Sequence, residues 1–194
     1  MAVFGKTIDV IRETAHALMK VLEQHHQDEV ALRRGISTSL EPLLARPDLL
    51  DWGVSRLDSH SGGSKILYYD PGVRITINRF PPSLDMAAHD HATWEALSLY
   101  RGRFKHTAYE RVDDGSKLGY AKLNIIEDRV LEPGEFAMIY PPKDIHSFHG
   151  LTEDTWAVFV ASGVPSPERK YFNTVDNTYI QRLKEDPKAL APKH

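Results

Sequence analysis

The first third of the chain has the hydrophobic spacing of α-helices. Between Thr7, the expected N-cap, and Gly35, the expected stop, apolar side chains recur every three or four positions and therefore share one helical face. A second, shorter helix is expected from Ser37 or Thr38 through Leu44. The pattern predicts that this part of the chain is helical and buries one face of each helix.

From residue 65 onward the periodicity becomes that of β-strands. In the segment VRITINRF, Val73, Ile75 and Ile77 alternate with polar residues, as in a strand with one buried face. Turns rich in Gly, Pro and Asp separate this strand from other short apolar runs. The other expected strands are 66–69, 95–101, 103–110, 119–126, 136–140, 145–149 and 155–161. Many short strands divided by such turns predict an antiparallel barrel or a double-sheet jelly roll.

The change of periodicity divides the chain into three segments. Residues 1–62 are expected to form a helical segment packed on the barrel, residues 63–170 the barrel with its functional site, and residues 171–194 a short helix and tail. The closing helix is expected over 174–185, and the small polar residues of 58–64 form the linker. At 194 residues the length fits one domain with a sizeable core.

Composition excludes several classes of function. The net charge is −3 and the basic residues are scattered, so no nucleic-acid partner is expected. No apolar run approaches the roughly 20 residues that cross a bilayer, so no membrane partner is expected either. The chain has no cysteine, which excludes disulfides, thiolate ligands and a cysteine nucleophile. A cytoplasmic location is the default expectation.

Two histidines and a carboxylate share one parity in the stretch HDHATWEALSLYRG. If this stretch is extended, His89, His91 and Glu95 point to the same face and converge. A further donor, His146, follows in EPGEFAMIYPPKDIHSFHG, and strands distant in sequence can be neighbours in an antiparallel barrel. Imidazole and carboxylate donors without thiolate suit Fe(II), Mn(II), Ni(II), Co(II) or Zn(II). The sequence therefore predicts a metal site.

The roles of three side chains need separate arguments. His149 has the opposite parity to His146, so it is expected on the other face of the same strand. His106 either reaches into the barrel to support the metal ligands or lies on the outer face. Glu95 is either a fourth metal ligand or a general base.

These residues resemble the two sequence motifs of the cupin superfamily. HDHATWE, followed by Gly102, is similar to the first motif, and PPKDIH, which ends at His146, is similar to the second. Within the superfamily, residues 65–150 resemble the thiol dioxygenases that act on cysteine or 3-mercaptopropionate. The resemblance implies a mainly β fold, the cupin double-stranded β-helix or jelly-roll barrel, with an α-helical N-terminal segment.

The resemblance also implies a chemistry. Thiol dioxygenases hold Fe(II) with three histidines, which correspond to His89, His91 and His146, and they oxidise a thiol to a sulfinate with O2. Glu95 stands where those enzymes lack a carboxylate, and 155–163 lacks their Ser-x-His-x-Tyr arrangement. We therefore expect a mononuclear non-haem Fe(II) oxidoreductase, a dioxygenase that uses O2 on a small organic substrate other than a thiol.

Substrate contacts and rival functions complete these expectations. Lys65 and Arg79 are the candidates for holding an anionic group of the substrate. One rival is a non-redox cupin, an isomerase or hydrolase that uses Mn, Ni or Zn as a Lewis acid. The other is a cupin that binds a small ligand without catalysis. The resemblance alone suggests a homodimer.

Overall fold

Two helices precede a set of strands in the part of the chain that the computed structural model describes, residues 4–56, 63–162, 166 and 168–183. The helices are α1 (Phe4–His25) and α2 (Glu29–Leu44), followed by a short 3-10 helix (Leu49–Asp51). The strands are β1 (Val54–Ser55), β2 (Ser64–Tyr69), β3 (Val73–Arg79), β4 (Asp85–His89), β5 (Glu95–Arg101), β6 (Phe104–Arg111), β7 (Leu123–Leu131), β8 (Phe136–Ile139), β9 (Ile145–Gly150), β10 (Trp156–Ser162), β11 (Glu168–Asn173) and β12 (Thr178–Leu183). The prediction of a mainly β fold is confirmed.

The helix boundaries differ from those expected. Asp28 is the N-cap of α2 and accepts a hydrogen bond from the backbone N–H of Ala31 at 3.0 Å. The helical segment is therefore divided into two helices just before this residue. The expectation of one helix up to Gly35 was wrong, because Gly35 lies inside α2. Thr7 is not a cap but a residue within α1, and its hydroxyl donates to the carboxylate of Asp48 at 2.8 Å.

At Gly35 of α2 the two helices α1 and α2 approach each other closely. A Cβ atom at Gly35 would lie only 2.6 Å from Cγ1 and 2.9 Å from Cγ2 of Val21. Valine has a branched and stiff side chain, so it cannot easily turn away. The glycine therefore permits the helix contact, even though glycine lowers helix propensity.

Gly35→Ala is expected to lower the free energy of unfolding by about 1–3 kcal/mol, because the added methyl group overpacks this contact. In a Val21→Ala background the same change should be neutral or stabilising by up to about 1 kcal/mol, since only the gain in helix propensity remains. Urea unfolding of the wild type, both single variants and the double variant measures this reversal. Stabilisation by Gly35→Ala in the wild-type background would contradict the proposed contact.

The strands form two six-stranded antiparallel sheets. The first has the order β1-β2-β3-β10-β5-β8 and the second has the order β12-β11-β4-β9-β6-β7. Apolar side chains from both sheets meet in one cluster, with Leu97 and Phe159 from the first sheet and Phe104 and Phe148 from the second. The two sheets therefore enclose a shared interior.

The outer face of the first sheet is covered by the helices. Val73, Ile75 and Ile77 of β3 belong to the same buried cluster as Leu18 of α1 and Ile36 of α2. The alternation visible in VRITINRF thus marks a face that packs against helices. The intervening polar residues of β3 face the interior between the sheets.

The predicted C-terminal helix over 174–185 was wrong in its described part. Residues Thr178–Leu183 form β12, which pairs with β11 over six register positions, with Tyr171 opposite Ile180. Residues 184 and 185 of the expected helix lie outside the described residues. Asn177 has a positive φ of 58°, which makes a turn between the two strands. The β-branched and aromatic residues Thr178, Tyr179 and Ile180 favour the strand over the helical spacing.

Two more strand predictions need correction. The expected strand over 119–126 begins later and extends further, as β7 over Leu123–Leu131. Strands β4 and β11 are not among the expected strands. In the described ranges no helix is long and apolar enough to cross a membrane.

Candidate metal centre

The stretch HDHATWE is a strand end, a turn and a strand start, so the condition that it is extended throughout is not met, although the expected strand over 95–101 is confirmed as β5. Strand β4 ends at His89 and β5 begins at Glu95. Ala92, between them, has a φ of 54°, in the left-handed region that interrupts an extended chain. The carboxylate of Asp144 accepts the backbone N–H groups of Ala92 at 2.6 Å and of His91 at 3.2 Å. Convergence of the histidines therefore depends on a turn that Asp144 holds.

Three histidines meet in the interior between the sheets. The pairing of β4 with β9 places His89 opposite His146, and their ring centroids are 4.8 Å apart. The Nε2 atoms of His91 and His146 are 2.9 Å apart. One nitrogen from each of the three rings lies within 4.8 Å of the others, and all three side chains are buried. These residues form a three-histidine metal site.

The spacing of these nitrogens suits a transition metal. Two ligands at about 2.1 Å from an ion and at right angles to each other are about 3.0 Å apart, close to the 2.9 Å between His91 and His146. Burial, followed by the electrostatic effect of the neighbouring side chains of His89 and His106, holds the pKa of His146 well below its usual value. His146 is therefore neutral near pH 7, the state in which imidazole binds a metal.

Glu95 lies beside two of the three histidines. Its Oε1 atom is 3.5 Å from Nε2 of His91 and 3.7 Å from Nε2 of His146, and its side chain is buried. The group of ligand atoms within 4.8 Å of one another consists of the histidines alone. Glu95 is therefore close enough to bind the same ion after a small movement, or to exchange a proton with a molecule bound there.

The second ring nitrogen of each histidine has its own partner. Nδ1 of His89 lies 2.8 Å from the carbonyl oxygen of Ala87, which can only accept, so Nδ1 carries the proton and Nε2 offers a lone pair. Nδ1 of His91 lies 3.2 Å from Nη2 of Arg169, which can only donate. Metal binding through Nε2 of His91 thus requires Arg169 to turn away from the ring.

His106 lies inside the barrel and contacts the site. Its Nε2 atom is 3.2 Å from Nδ1 of His146, and its Nδ1 atom is 3.1 Å from Oε1 of Glu127. His149, by contrast, is on the other face of β9 and its side chain is 37% exposed. Of the two open interpretations of His106, its position matches the inward one.

The two candidate substrate cations have other partners. Lys65 donates a hydrogen bond to the backbone carbonyl of Leu50. Arg79 donates to the backbone carbonyl of Glu153 at 2.9 Å and lies 3.5 Å from its carboxylate. Within the described residues, the structure does not bring Lys65 or Arg79 to the three histidines.

Two arginines that sequence reasoning missed lie near the site. Arg74 is opposite Ala161, and Ala161 is opposite Glu95, so Arg74 and Glu95 share the interior face of the first sheet. Burial lowers the pKa of Arg74, while the negative charge of Glu95 partly offsets this effect. Arg169 contacts His91 directly. A signal for Arg74 exists in the sequence, since it alternates with the apolar residues of VRITINRF, but that face is easily taken for a solvent-exposed one.

No family model matches the chain, and neither does any curated protein. Solved structures with which it aligns include KdgF from Halomonas sp., 17% identical with a TM-score of 0.44, over 59% of this chain and 91% of KdgF. An RmlC-like cupin from Ralstonia eutropha JMP134 is 17% identical with a TM-score of 0.41, over 64% of this chain and 68% of that one. A cupin superfamily protein from Desulfitobacterium hafniense DCB-2 is 15% identical with a TM-score of 0.38, over 51% and 74% of the two chains. At these values the similarity carries no information about the chemistry of the site.

Proposed function

We propose that the protein is a mononuclear non-haem iron oxygenase of the cupin type that acts on a small organic anion with O2. The observation that carries this proposal is the buried group of His89, His91 and His146 with Glu95 beside it. A homodimer and a cytoplasmic location stay predictions.

The order of the strands supports a jelly-roll barrel. From β3 to β10 the chain passes repeatedly between the sheets, with β3, β5, β8 and β10 in the first sheet and β4, β6, β7 and β9 in the second. Within each sheet, strands distant in sequence are neighbours, such as β3 with β10 and β4 with β9. We propose that these eight strands form the double-stranded β-helix expected from the sequence.

The three histidines and Glu95 would have different roles at the site. His89, His91 and His146 would hold the ion, and a bound Fe(II) would supply the redox chemistry with O2 that none of the side chains can perform. Glu95, whose Oε1 lies between His91 and His146, would be a fourth ligand or would accept a proton from the substrate. The buried interior would exclude bulk water from these groups.

The presence of Arg74 and Arg169 near the site favours a substrate with a negative charge. Arg169 contacts His91, and Arg74 shares the interior face of the first sheet with Glu95. The positive charge of Arg169 is one of the causes that lower the pKa of Arg74, after burial. Within the described residues, Arg74 makes no hydrogen bond and no ion pair that would occupy its donors. Planar guanidinium groups match the two oxygens of a carboxylate. A small carboxylate is therefore the substrate class that this site favours, and Arg169 would reach it after leaving His91.

Oxygen consumption by the Fe(II)-loaded protein tests this function. Small carboxylic acids should be compared with their neutral methyl esters or amides, and cysteine and 3-mercaptopropionate should be included. We expect iron-dependent O2 consumption with at least one acid, much less with its neutral counterpart, and little or none with the two thiols. Turnover with Zn(II) or Mn(II) that consumes no O2 would instead favour the isomerase or hydrolase alternative.

A further inference from the structure

A chain of polar side chains leads from His146 to the edge of the second sheet. Nδ1 of His146 lies 3.2 Å from Nε2 of His106, and Nδ1 of His106 lies 3.1 Å from Oε1 of Glu127. His106 and His146 are buried, and the side chain of Glu127 is 33% exposed. These two contacts therefore connect a candidate metal ligand, His146, with a carboxylate near the surface, that of Glu127.

The strand register explains how these groups meet. His146 is opposite Ala108 on β6, and Ala108 is opposite Glu127 on β7, so all three share the interior face. The small side chain of Ala108 leaves room between the other two. His106 is two residues from Ala108 and has the same parity, so its ring can occupy that space.

The positions of the protons in this series of hydrogen bonds can be assigned, beginning at Glu127. The carboxylate of Glu127 can only accept, so Nδ1 of His106 carries the proton that it donates. In neutral His106, Nε2 then has a lone pair and accepts the Nδ1 proton of His146. The same assignment leaves Nε2 of His146 with a lone pair directed at His91 and Glu95.

Glu127 is itself held as a carboxylate. Its hydrogen bond to His106 is the main cause that lowers its pKa to about 2, against the opposing effect of burial. Nε of Arg129 lies 3.2 Å from Oε1 of Glu127, and the same guanidinium donates to the backbone carbonyl of Phe136. The carboxylate of Glu127 is thus held in place by Arg129, whose guanidinium is anchored on β8.

We propose that Glu127 and His106 are positioning residues that fix the ring orientation and tautomer of His146, so that its Nε2 lone pair faces the metal site. This inference rests on the proposed metal function of the three histidines. Residues that hold a metal-binding histidine through its second nitrogen typically contribute 10–100-fold to metal affinity or activity.

Glu127→Gln tests the role of the carboxylate, with Asp128→Asn as the matched control. Both variants remove one negative charge from β7, but Asp128 accepts from Thr107 at 2.8 Å and from Lys105 at 3.2 Å instead of contacting His106. Glu127→Gln should weaken Co(II) binding about 10-fold and alter the visible spectrum of the Co(II) protein. Asp128→Asn should change the Co(II) affinity less than about 2-fold.

His106→Gln and His106→Leu test the histidine. Glutamine keeps an oxygen that can accept the Nδ1 proton of His146, whereas leucine removes the acceptor while keeping similar bulk. Co(II) affinity should therefore fall further in His106→Leu than in His106→Gln. In metal-free wild-type protein, ¹⁵N chemical shifts of the histidine rings should report Nδ1-protonated His106 and His146, and Glu127→Gln should reduce this preference.

These measurements separate the inference from the proposed function. If the wild type binds Co(II) but Glu127→Gln equals Asp128→Asn in affinity and spectrum, the positioning role is refuted and the metal site stands. If His106→Leu and His106→Gln bind Co(II) equally well, the acceptor role of His106 is refuted. A wild-type protein that binds no Co(II) would refute both the inference and the proposed function.

Discussion

Replacing His89, His91 or His146 by alanine is expected to abolish stoichiometric binding of a transition metal. Each change removes one of the three buried nitrogens that lie within 4.8 Å of one another. The loss of affinity should exceed the 10–100-fold that supporting residues typically contribute. Metal content after dialysis, together with Co(II) titration of the metal-free protein, measures this effect.

His149→Ala is the matched control for these three variants. His149 lies on the same strand as His146, but its side chain is on the opposite, partly exposed face. This variant should bind one equivalent of metal with wild-type affinity. Loss of metal in His149→Ala and retention in His146→Ala would mean that the assignment of His146 as a metal ligand is wrong. Melting curves of the metal-free proteins show whether a loss of binding comes from unfolding instead.

Arg74→Met is expected to weaken the binding of small carboxylates about 10–100-fold while leaving the metal bound. Arg74 shares the interior face with Glu95, and a hydrogen bond to a charged group contributes about 1.5–3 kcal/mol. Methionine fills a similar length but has neither charge nor donors. Titrating the Co(II)-loaded protein with pyruvate and with neutral pyruvamide, and following the visible spectrum, separates the charge effect from general binding.

Arg79→Met provides the comparison, because Arg79 is on the same strand but is bound to Glu153. This variant should bind pyruvate like the wild type. Equal losses in Arg74→Met and Arg79→Met, or unchanged affinity in Arg74→Met, would contradict the assignment of Arg74 to the substrate anion. A loss of pyruvamide affinity equal to that of pyruvate would show that the guanidinium does not recognise the charge.

Much of the β architecture can be predicted from the sequence, because period-two alternation and turn residues are local signals. The alternation of Val73, Ile75 and Ile77 correctly identified β3 as a strand and these three residues as its buried apolar face. The donors could be found in the same way, since HDHATWE and DIHSFHG concentrate histidines in otherwise apolar segments. Which of these histidines meet depends on register, and the pairing of β4 with β9 decides it.

The features that could not be predicted depend on contacts between distant residues. Gly35 is locally typical of a helix end, but it lies inside α2, where the absence of a side chain permits close approach to Val21 of α1. The turn in HDHATWE depends on Asp144, which is far away in the sequence. Thr178–Leu183 forms a strand because β11 offers a free edge to pair with, which local spacing does not reveal.

The positions of the charged residues near the site also depend on contacts that local sequence patterns do not reveal. Arg74 alternates with apolar residues in a way that normally indicates exposure, and only the helices packed on the other face show that it points inward. Arg169 lies in a strand that the sequence did not predict at all. Lys65 and Arg79 were chosen for charge and nearness in sequence, and both have backbone carbonyls as partners elsewhere.

Anomalous diffraction from crystals of the Co(II)-loaded protein tests the central claim most directly. The three-histidine site predicts a single strong peak in the interior between the sheets, about 2.1 Å from Nε2 of each of His89, His91 and His146. The distance from this peak to Oε1 of Glu95 distinguishes a fourth ligand from a base. A strong peak only at exposed histidines such as His149, or no ordered peak at all, would contradict the claim that this protein is a mononuclear metalloprotein.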